Sequence, residues 1–301
     1  MKCVTSFLDY LQYQRRFSPH TLAAYRTDLK QFERYLSEVY ALDDPAGATH
    51  HHIRSWLVSL LSQGLSDRSL RRKSSALRAF YRFLRKRGTI AQDPMQNVPR
   101  GKVPRQLPAV ARRGELLALI EAGPAGDSFS ARRDHFILEL LYSTGMRRSE
   151  LLGLRPEDID RAKGHIRVLG KGQKERLIPM GNWLLESLRD YLAARTEAFG
   201  EAANLPLLLT DKGRPLYPKK VYLIVKRYLA QLGTAEQKSP HALRHAFATH
   251  LMEQGADLQA VKELLGHSSL AATEIYTRNT VERLRKTYQQ AHPKARRKSG
   301  E

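Results

Sequence analysis

Apolar residues recur at helical spacing through most of the chain. In TLAAYRTDLKQFERYL, positions Leu22, Tyr25, Leu29, Phe32 and Leu36 fall on one face, and Ser18-Pro19 supplies an N-cap with proline at the first helical position. FLDYLQY, just upstream, reads as a short amphipathic turn. Asp43-Asp44-Pro45-Ala46-Gly47 ends the long helix. Thr49 then caps IRSWLVSLLSQ, which Gly64 closes. Ser66 caps a further helix that runs to Gly88, with Leu70, Leu77, Phe80, Tyr81 and Leu84 as its apolar stripe. Farther along, GELLALIEA and RRDHFILELLYSTG keep the helical period. HIRVLG-KGQK-ERLIPM does not: Ile166, Val168 and Leu169, then Leu177, Ile178 and Pro179, flank a Gly-Lys-Gly turn and predict a hairpin. From Trp183 onward the pattern is mostly helical again, with a short strand expected at PLLLT. The predicted class is mainly α with a small β-sheet (α+β), and no solenoid-type repeat is present.

The helical pattern breaks once, over residues 99–113. PRGKVPRQLPAVARR contains Pro99, Pro104 and Pro108 and five basic residues without an acidic one. Such a stretch reads as an extended interdomain linker, which can lie along a phosphate backbone or serve as a plain spacer. The expected organisation is a helical domain over 1–98, a basic Pro-rich linker over 99–110 and a second domain over 111–301, in keeping with a chain of 301 residues. The last residues, PKARRKSGE, form a basic tail expected to fray.

Charge sharpens this picture. The chain carries 51 Lys and Arg against 30 Asp and Glu, a net charge of +21. The excess is distributed: residues 1–100 hold a net +9 and the remainder a net +12. The helix after Ser66 alone has nine basic residues and one Asp, leaving its outer face strongly cationic. Two basic halves point to a polyanion such as nucleic acid, whose condensed counterions such a field displaces. One cysteine, Cys3, rules out an internal disulfide and fits a reducing compartment. No apolar run is long enough to span a bilayer, and MKCVTSFLDYLQYQRRF lacks the unbroken apolar region of a signal peptide. A cytoplasmic protein is expected.

Three chemistries compete for HALRHAFATH, His241 to His250. His241 and His245 share a helix face at a spacing that suits zinc, but the glutamate of a His-Glu-x-x-His motif is absent and no cysteine lies nearby. The triplet His50-His51-His52 splays around its helix instead of converging. No metal and no cofactor are expected. A nucleotide loop also fails, because Gly172 stands where Ser or Thr should follow Lys171, and His165 where the first glycine belongs. A phosphodiester site remains. His241 and Arg244 are three apart on one face, and a guanidinium binds phosphate bidentately. Arg147 sits in STGMRRSELLGL, Lys171 at the hairpin turn, His267 after Gly266, and Tyr276 nine residues on. Each alone has a plain reading, as a paired arginine, a helix-end histidine or one of 13 tyrosines.

Taken in order, STGMRRSELLGL, LGKGQKERLIP, HALRHAFATHL, ELLGHSSLAATEIYTR and, upstream, FLDYLQYQRRFSPHTLAAYRTDL resemble the tyrosine site-specific recombinases, in particular the bacterial Xer type. The resemblance covers nearly the whole chain. It implies an N-terminal SAM-like helical core-binding domain and a tyrosine recombinase catalytic domain that close as a C-shaped clamp. It implies Arg147, Lys171, His241, Arg244 and His267 as phosphate-activating residues, Tyr276 as nucleophile and Glu150 as support for Arg147. Lys262 stands where Xer sequences often have glutamine, and Ala271-Ala272 replaces a more polar pair. The implied reaction forms a covalent 3′-phosphotyrosyl bond, frees a 5′ hydroxyl and needs neither ATP nor metal. The implied partners are double-stranded DNA, a homo- or hetero-tetramer on two sites, a second Xer-type recombinase and a septal DNA translocase, with chromosome dimers as substrate. The alternatives are a mobile-element integrase of the same family, a relaxing topoisomerase and a non-catalytic DNA-binding protein of the same fold. TVERLRKTYQQAH, after Tyr276, is an amphipathic helix expected either to dock into a neighbour or to pack on its own core.

Overall fold

Ser18 begins the longest helix. Its Oγ accepts the Thr21 N–H at 3.2 Å, Pro19 takes the first helical position, and α2 runs Pro19–Tyr40 until Ala41 adopts a left-handed conformation. This computed structural model describes residues 2–99, 110–170, 175–200, 205–266 and 278–295. Most of the linker, Lys171, His267, Tyr276 and the basic tail beyond residue 295 lie outside the described residues. The chain divides into two compact units, 1–106 and 107–301.

In the first unit, α1 (Lys2–Asp9) passes into a π-helical turn over Tyr10–Gln14, followed by α2, α3 (His50–Ser62) and α4 (Asp67–Lys86). Leu29, Phe32 and Leu36 of the predicted stripe are buried, while Leu22 and Tyr25 are half-buried at its edge. They meet Ile53, Trp56, Leu77 and Phe80 in one core, where Phe32 and Trp56 lie 5.0 Å apart and Phe7 packs edge-on to Phe80 at 5.5 Å. Ser66 caps α4 as expected, its Oγ accepting the Ser69 N–H at 3.4 Å.

The second unit is built around α6 (Phe129–Thr144), buried along nearly its whole length and packed by α8 (Asn182–Phe199), α9 (Pro218–Leu229) and α10 (Pro240–Glu253). Short helices α5 (Arg113–Glu121), α7 (Arg148–Gly153) and α11 (Leu258–Leu265) complete the frame. The predicted hairpin is present as β2 (His165–Leu169) and β3 (Glu175–Pro179), antiparallel with Ile166 opposite Ile178. A third strand, β1 (Ile159–Asp160), pairs with β2. The sequence pattern misses it because two residues cannot display a period. The strand expected at PLLLT is a correction: only a single bridge, Leu209 to Pro215, forms there. Tyr191 explains this, since its hydroxyl donates to the Leu207 carbonyl at 2.9 Å and accepts the Leu209 N–H, while the Leu207 N–H goes to Leu154. The backbone groups a ladder would use are already taken.

The last helix, α12 (Arg278–Ala291), packs on its own unit. Leu284, Tyr288 and Ala291 join Phe247, Leu251 and Val261 in a buried cluster, and Trp183 stacks on Tyr288 at 6.2 Å. His292, fully buried beside them, has its imidazole pushed down to about 3 by burial and by the charge of Lys294.

One glycine fixes the corner that the site needs. Gly145 caps α6 with φ +59, and a Cβ there would lie 2.4 Å from Cδ1 of buried Phe247. Gly145→Ala therefore meets both left-handed strain and overpacking. We expect a loss of roughly 2–4 kcal/mol, read as a lowered denaturant midpoint.

Candidate phosphate-binding site

STGMRRSELLGL folds as a helix stop followed at once by a helix start. After Gly145, Arg147 stands at the N-cap of α7, and Glu150 reaches back to accept the Arg147 N–H at 2.6 Å, the acidic half of a capping box. The same carboxylate takes the Arg147 guanidinium, Nη1 donating to Oε1 at 2.8 Å. Arg244, on the second turn of α10, is buried. His241 precedes it by about one turn and is exposed, and its side chain makes no hydrogen bond to the described residues.

The sequence pattern does not single out a third arginine, Arg176 on β3. It is buried at 4% exposure and grips Glu150 with both Nη atoms at 2.8 Å, a bidentate pair. A weak signal was there. In ERLIP, Arg176 shares the period-2 phase of Ile178, so the hairpin that buries Ile178 must bury Arg176 with it.

The three guanidiniums meet at the C-terminal end of α11. Arg176 Nε donates to the Leu264 carbonyl at 3.0 Å, Arg244 Nη2 to Leu265 at 2.7 Å and Arg147 Nη2 to Gly266 at 3.3 Å. Three successive carbonyls, left unpaired by the end of the helix, are each taken by a cation from a different element. Arg244 Nη1 also donates to the Gly145 carbonyl at 2.6 Å, tying α10, α11 and the α6 corner together. Gly266 closes α11 with φ +66, and a Cβ there would press to 3.0 Å from Arg176 Nη1.

Charge in this cluster does not balance. Among the described residues three guanidiniums face one carboxylate, a surplus of two positive charges beside a largely buried floor. Burial pulls Arg244 down to about 10, and the charges of Arg147 and Arg176 add to the effect, so it remains a cation at neutral pH. Burial by itself would raise the Glu150 carboxyl. The hydrogen bonds and charge of Arg176, and then the bonds from Arg147, outweigh it and hold Glu150 at about 2. The folded value lies below the ordinary 4.5, so this pairing stabilises the fold above pH 4.5 and is lost as pH falls toward 2. We expect on the order of 3 kcal/mol to disappear across that window. Denaturant unfolding of wild type and Glu150→Gln should show a stability gap at pH 7 that narrows below pH 4.5 and is smallest once the pH has fallen through the folded value of about 2.

The structure thus brings Arg147, Glu150 and Arg244 together, adds Arg176, and sets His241 on the face of Arg244. Lys171, His267 and Tyr276 lie outside the described residues, but their flanks do not. β2 and β3 bracket Lys171, while α11 and α12 bracket His267 and Tyr276. His250 serves packing: its Nε2–H donates to the Ala111 carbonyl at 3.2 Å, which leaves Nδ1 to accept the buried Tyr142 hydroxyl at 3.0 Å.

An anion-binding surplus at a helix end, framed by a hairpin and a small-residue corner, agrees with what the chain is related to. The phage integrase family matches residues 112–283, and the N-terminal SAM-like domain of phage integrases matches residues 4–88. The chain belongs to this family and is a tyrosine recombinase. It is 38% identical to tyrosine recombinase XerC of Chlorobaculum parvum over 96% of this chain and 94% of that one. It is 40% identical to XerC of Pelobacter propionicus (98% and 97% covered) and 36% identical to XerD of Staphylococcus aureus (97% and 99% covered). Among solved structures, XerH recombinase in a post-cleavage complex with palindromic difH shares the fold at a TM-score of 0.70 and 24% identity, covering 94% of this chain and 83% of that one. A λ integrase dimer bound to a COC′ core site gives 0.68 at 20% identity, covering 94% of each. Among the described residues no helix is long and apolar enough to cross a membrane.

Proposed function

We propose that the chain cleaves and rejoins double-stranded DNA at a specific site through Tyr276, acting as a Xer-type recombinase on chromosome dimers. The observation that carries this reading is the convergence of Arg147 and Arg244 on adjacent carbonyls, Gly266 and Leu265, beside a surplus of positive charge. A phosphodiester is an anion that repels nucleophiles, and attack adds charge to its non-bridging oxygens. Fixed guanidiniums answer both problems. Arg244 spends two of its N–H groups on carbonyls and keeps the other three of its five free of the described residues. His241 and His267 add donors. In the step, the Tyr276 oxygen bonds to phosphorus, the bond from phosphorus to the 5′ oxygen breaks, and that oxygen takes a proton from Lys171. The tyrosine proton passes to a histidine or to water. The retained ester energy lets another 5′ hydroxyl reverse the reaction on a new strand without ATP.

In the same reading, residues 1–98 form the core-binding domain and 111–301 the catalytic domain, joined by 99–110, and both bind DNA in the cytoplasm. Four protomers act on two sites, with a second Xer-type recombinase and a septal translocase as partners. XerC and XerD relatives over nearly the full length favour this over a mobile-element integrase.

The test is a suicide duplex, nicked close to the cleaved phosphate so that the short strand diffuses away and the adduct cannot reverse. Genomic fragments trapped on the protein supply the site. A phosphotyrosyl peptide containing Tyr276 is expected. An adduct on another residue, or none on any fragment, would retire the reading.

A further inference from the structure

The first unit presents its strongest charge on α4, and the cations there are not alike. Arg68, Arg71, Arg82 and Arg85 are exposed, and their side chains make no hydrogen bond or ion pair with the described residues. Arg72 differs. Its Nη1 donates to Oδ2 of Asp28, a carboxylate of α2 that is only 1% exposed, and lies 3.5 Å from the Ala24 carbonyl. The other oxygen of Asp28 accepts from Lys73 Nζ at 2.9 Å, and Lys73 is itself buried, bonded to Gln31 and set 5.6 Å from the Trp56 ring.

This arrangement separates two roles. Lys73 alone neutralises Asp28, so the buried carboxylate does not need Arg72 for charge balance. Arg72 keeps 43% of its side chain exposed and brings a surplus charge to the surface. One corner of its guanidinium is pinned to α2, while Nε and Nη2 carry no bond to the described residues. A planar fork whose rotation is fixed by a carboxylate behind it suits a planar partner with two acceptors side by side. A backbone phosphate can also take a guanidinium bidentately, but it offers acceptors over a wide range of directions, whereas a base edge presents them in one plane and at one place, so pinning the fork adds most where a base is read. The N7 and O6 edge of guanine in the major groove is the matching planar pair.

We infer that Arg72 reads a guanine in the recombination site, with Asp28 as the positioning residue that aims it, while the unpinned arginines of α4 contact the backbone. The inference rests on the DNA-recombinase reading above, and one experiment separates the two. Full-length wild type, Arg72→Ala, Arg72→Lys, Asp28→Asn and Arg82→Ala are each used to select bound duplexes from a randomised library, and the recovered sequences are compared. Wild type should yield a motif with a G·C pair in each half-site that Arg72→Ala no longer prefers, its discrimination there falling by about ten-fold or more. Arg72→Lys should lose the same preference while keeping the charge. Asp28→Asn, with Arg72 intact, should weaken preference at that same pair. Arg82→Ala should bind all sequences less well, with an unchanged motif and a shallower salt dependence.

If Arg72→Ala returns the wild-type motif, whether with uniformly weaker binding or with none lost, Arg72 touches phosphate or merely staples α4 to α2, and the inference is wrong. A thermal melt accompanies each variant. Should Asp28→Asn fail to fold, the two Arg72 variants still decide. A wild-type protein that selects no motif would overturn site-specific recognition itself, and this inference with it.

Discussion

Tyr276→Phe is expected to bind its DNA site with near-normal affinity and never become attached to it. The substitution removes one oxygen and keeps the ring, so packing and charge are nearly unchanged. What disappears is the oxygen proposed to form the phosphotyrosyl bond. Covalent adduct on the suicide duplex should fall by on the order of 10⁴-fold or more, while a gel-shift titration moves little. The structure favours a sharp result. α11 ends at Leu265 among the three arginines and α12 starts at Arg278, its later turns anchored by Leu284, Tyr288 and Ala291. Tyr276, the proposed nucleophile, therefore falls in sequence between two described helices of the same unit. Persisting adduct in the phenylalanine chain would mean that another side chain attacks.

The second large effect is expected at Arg244. Arg244→Ala removes a cation from the proposed phosphate site and also strands the Gly145 and Leu265 carbonyls. Cleavage should fall by about 10²–10³-fold, the scale seen when one donor to a developing oxyanion is deleted. Arg244→Lys should rescue little. A lone ammonium cannot hold two carbonyls 120 positions apart in sequence and still present a planar fork to phosphate. Single-turnover adduct formation at saturating protein isolates this from weaker binding. If Arg244→Ala kept cleavage within a few-fold of wild type while its melting temperature collapsed, Arg244 would be a staple of the fold and not part of the chemistry.

Much of this molecule is legible along the chain because its helices carry their own signals. Ser18 and Ser66 cap where a hydroxyl before a helical stripe should, and the Leu29, Phe32 and Leu36 face is buried as its spacing requires. The hairpin declares itself by a change of period. The family resemblance alone points to Arg147, Glu150, His241 and Arg244, and the structure shows what resemblance cannot: that backbone carbonyls hold Arg147 and Arg244. Those bonds join residues far apart in sequence and leave no periodic trace. Arg176 escapes notice for a related reason. An arginine in a strand reads as surface, and only its phase with Ile178 hints otherwise. At PLLLT the apolar run is real and buried, but a distant tyrosine hydroxyl, invisible to local pattern, takes the bonds a strand would make.

The row of carbonyls at the end of α11 has a consequence for how this protein can vary. Arg176, Arg244 and Arg147 recognise main chain at 264, 265 and 266, atoms that every amino acid possesses. Replacing the side chain at 265 leaves its oxygen in place, so no ordinary exchange there can release Arg244. Only a change of length can. One residue inserted or deleted in the last turn of α11 would offset all three grips together and shift the departure point of the chain toward Tyr276. The grips themselves are therefore indifferent to the side chains at 264 and 265 and intolerant of insertion, with Gly266 the one position where a Cβ would press on Arg176, a keyed coupling whose teeth are peptide groups.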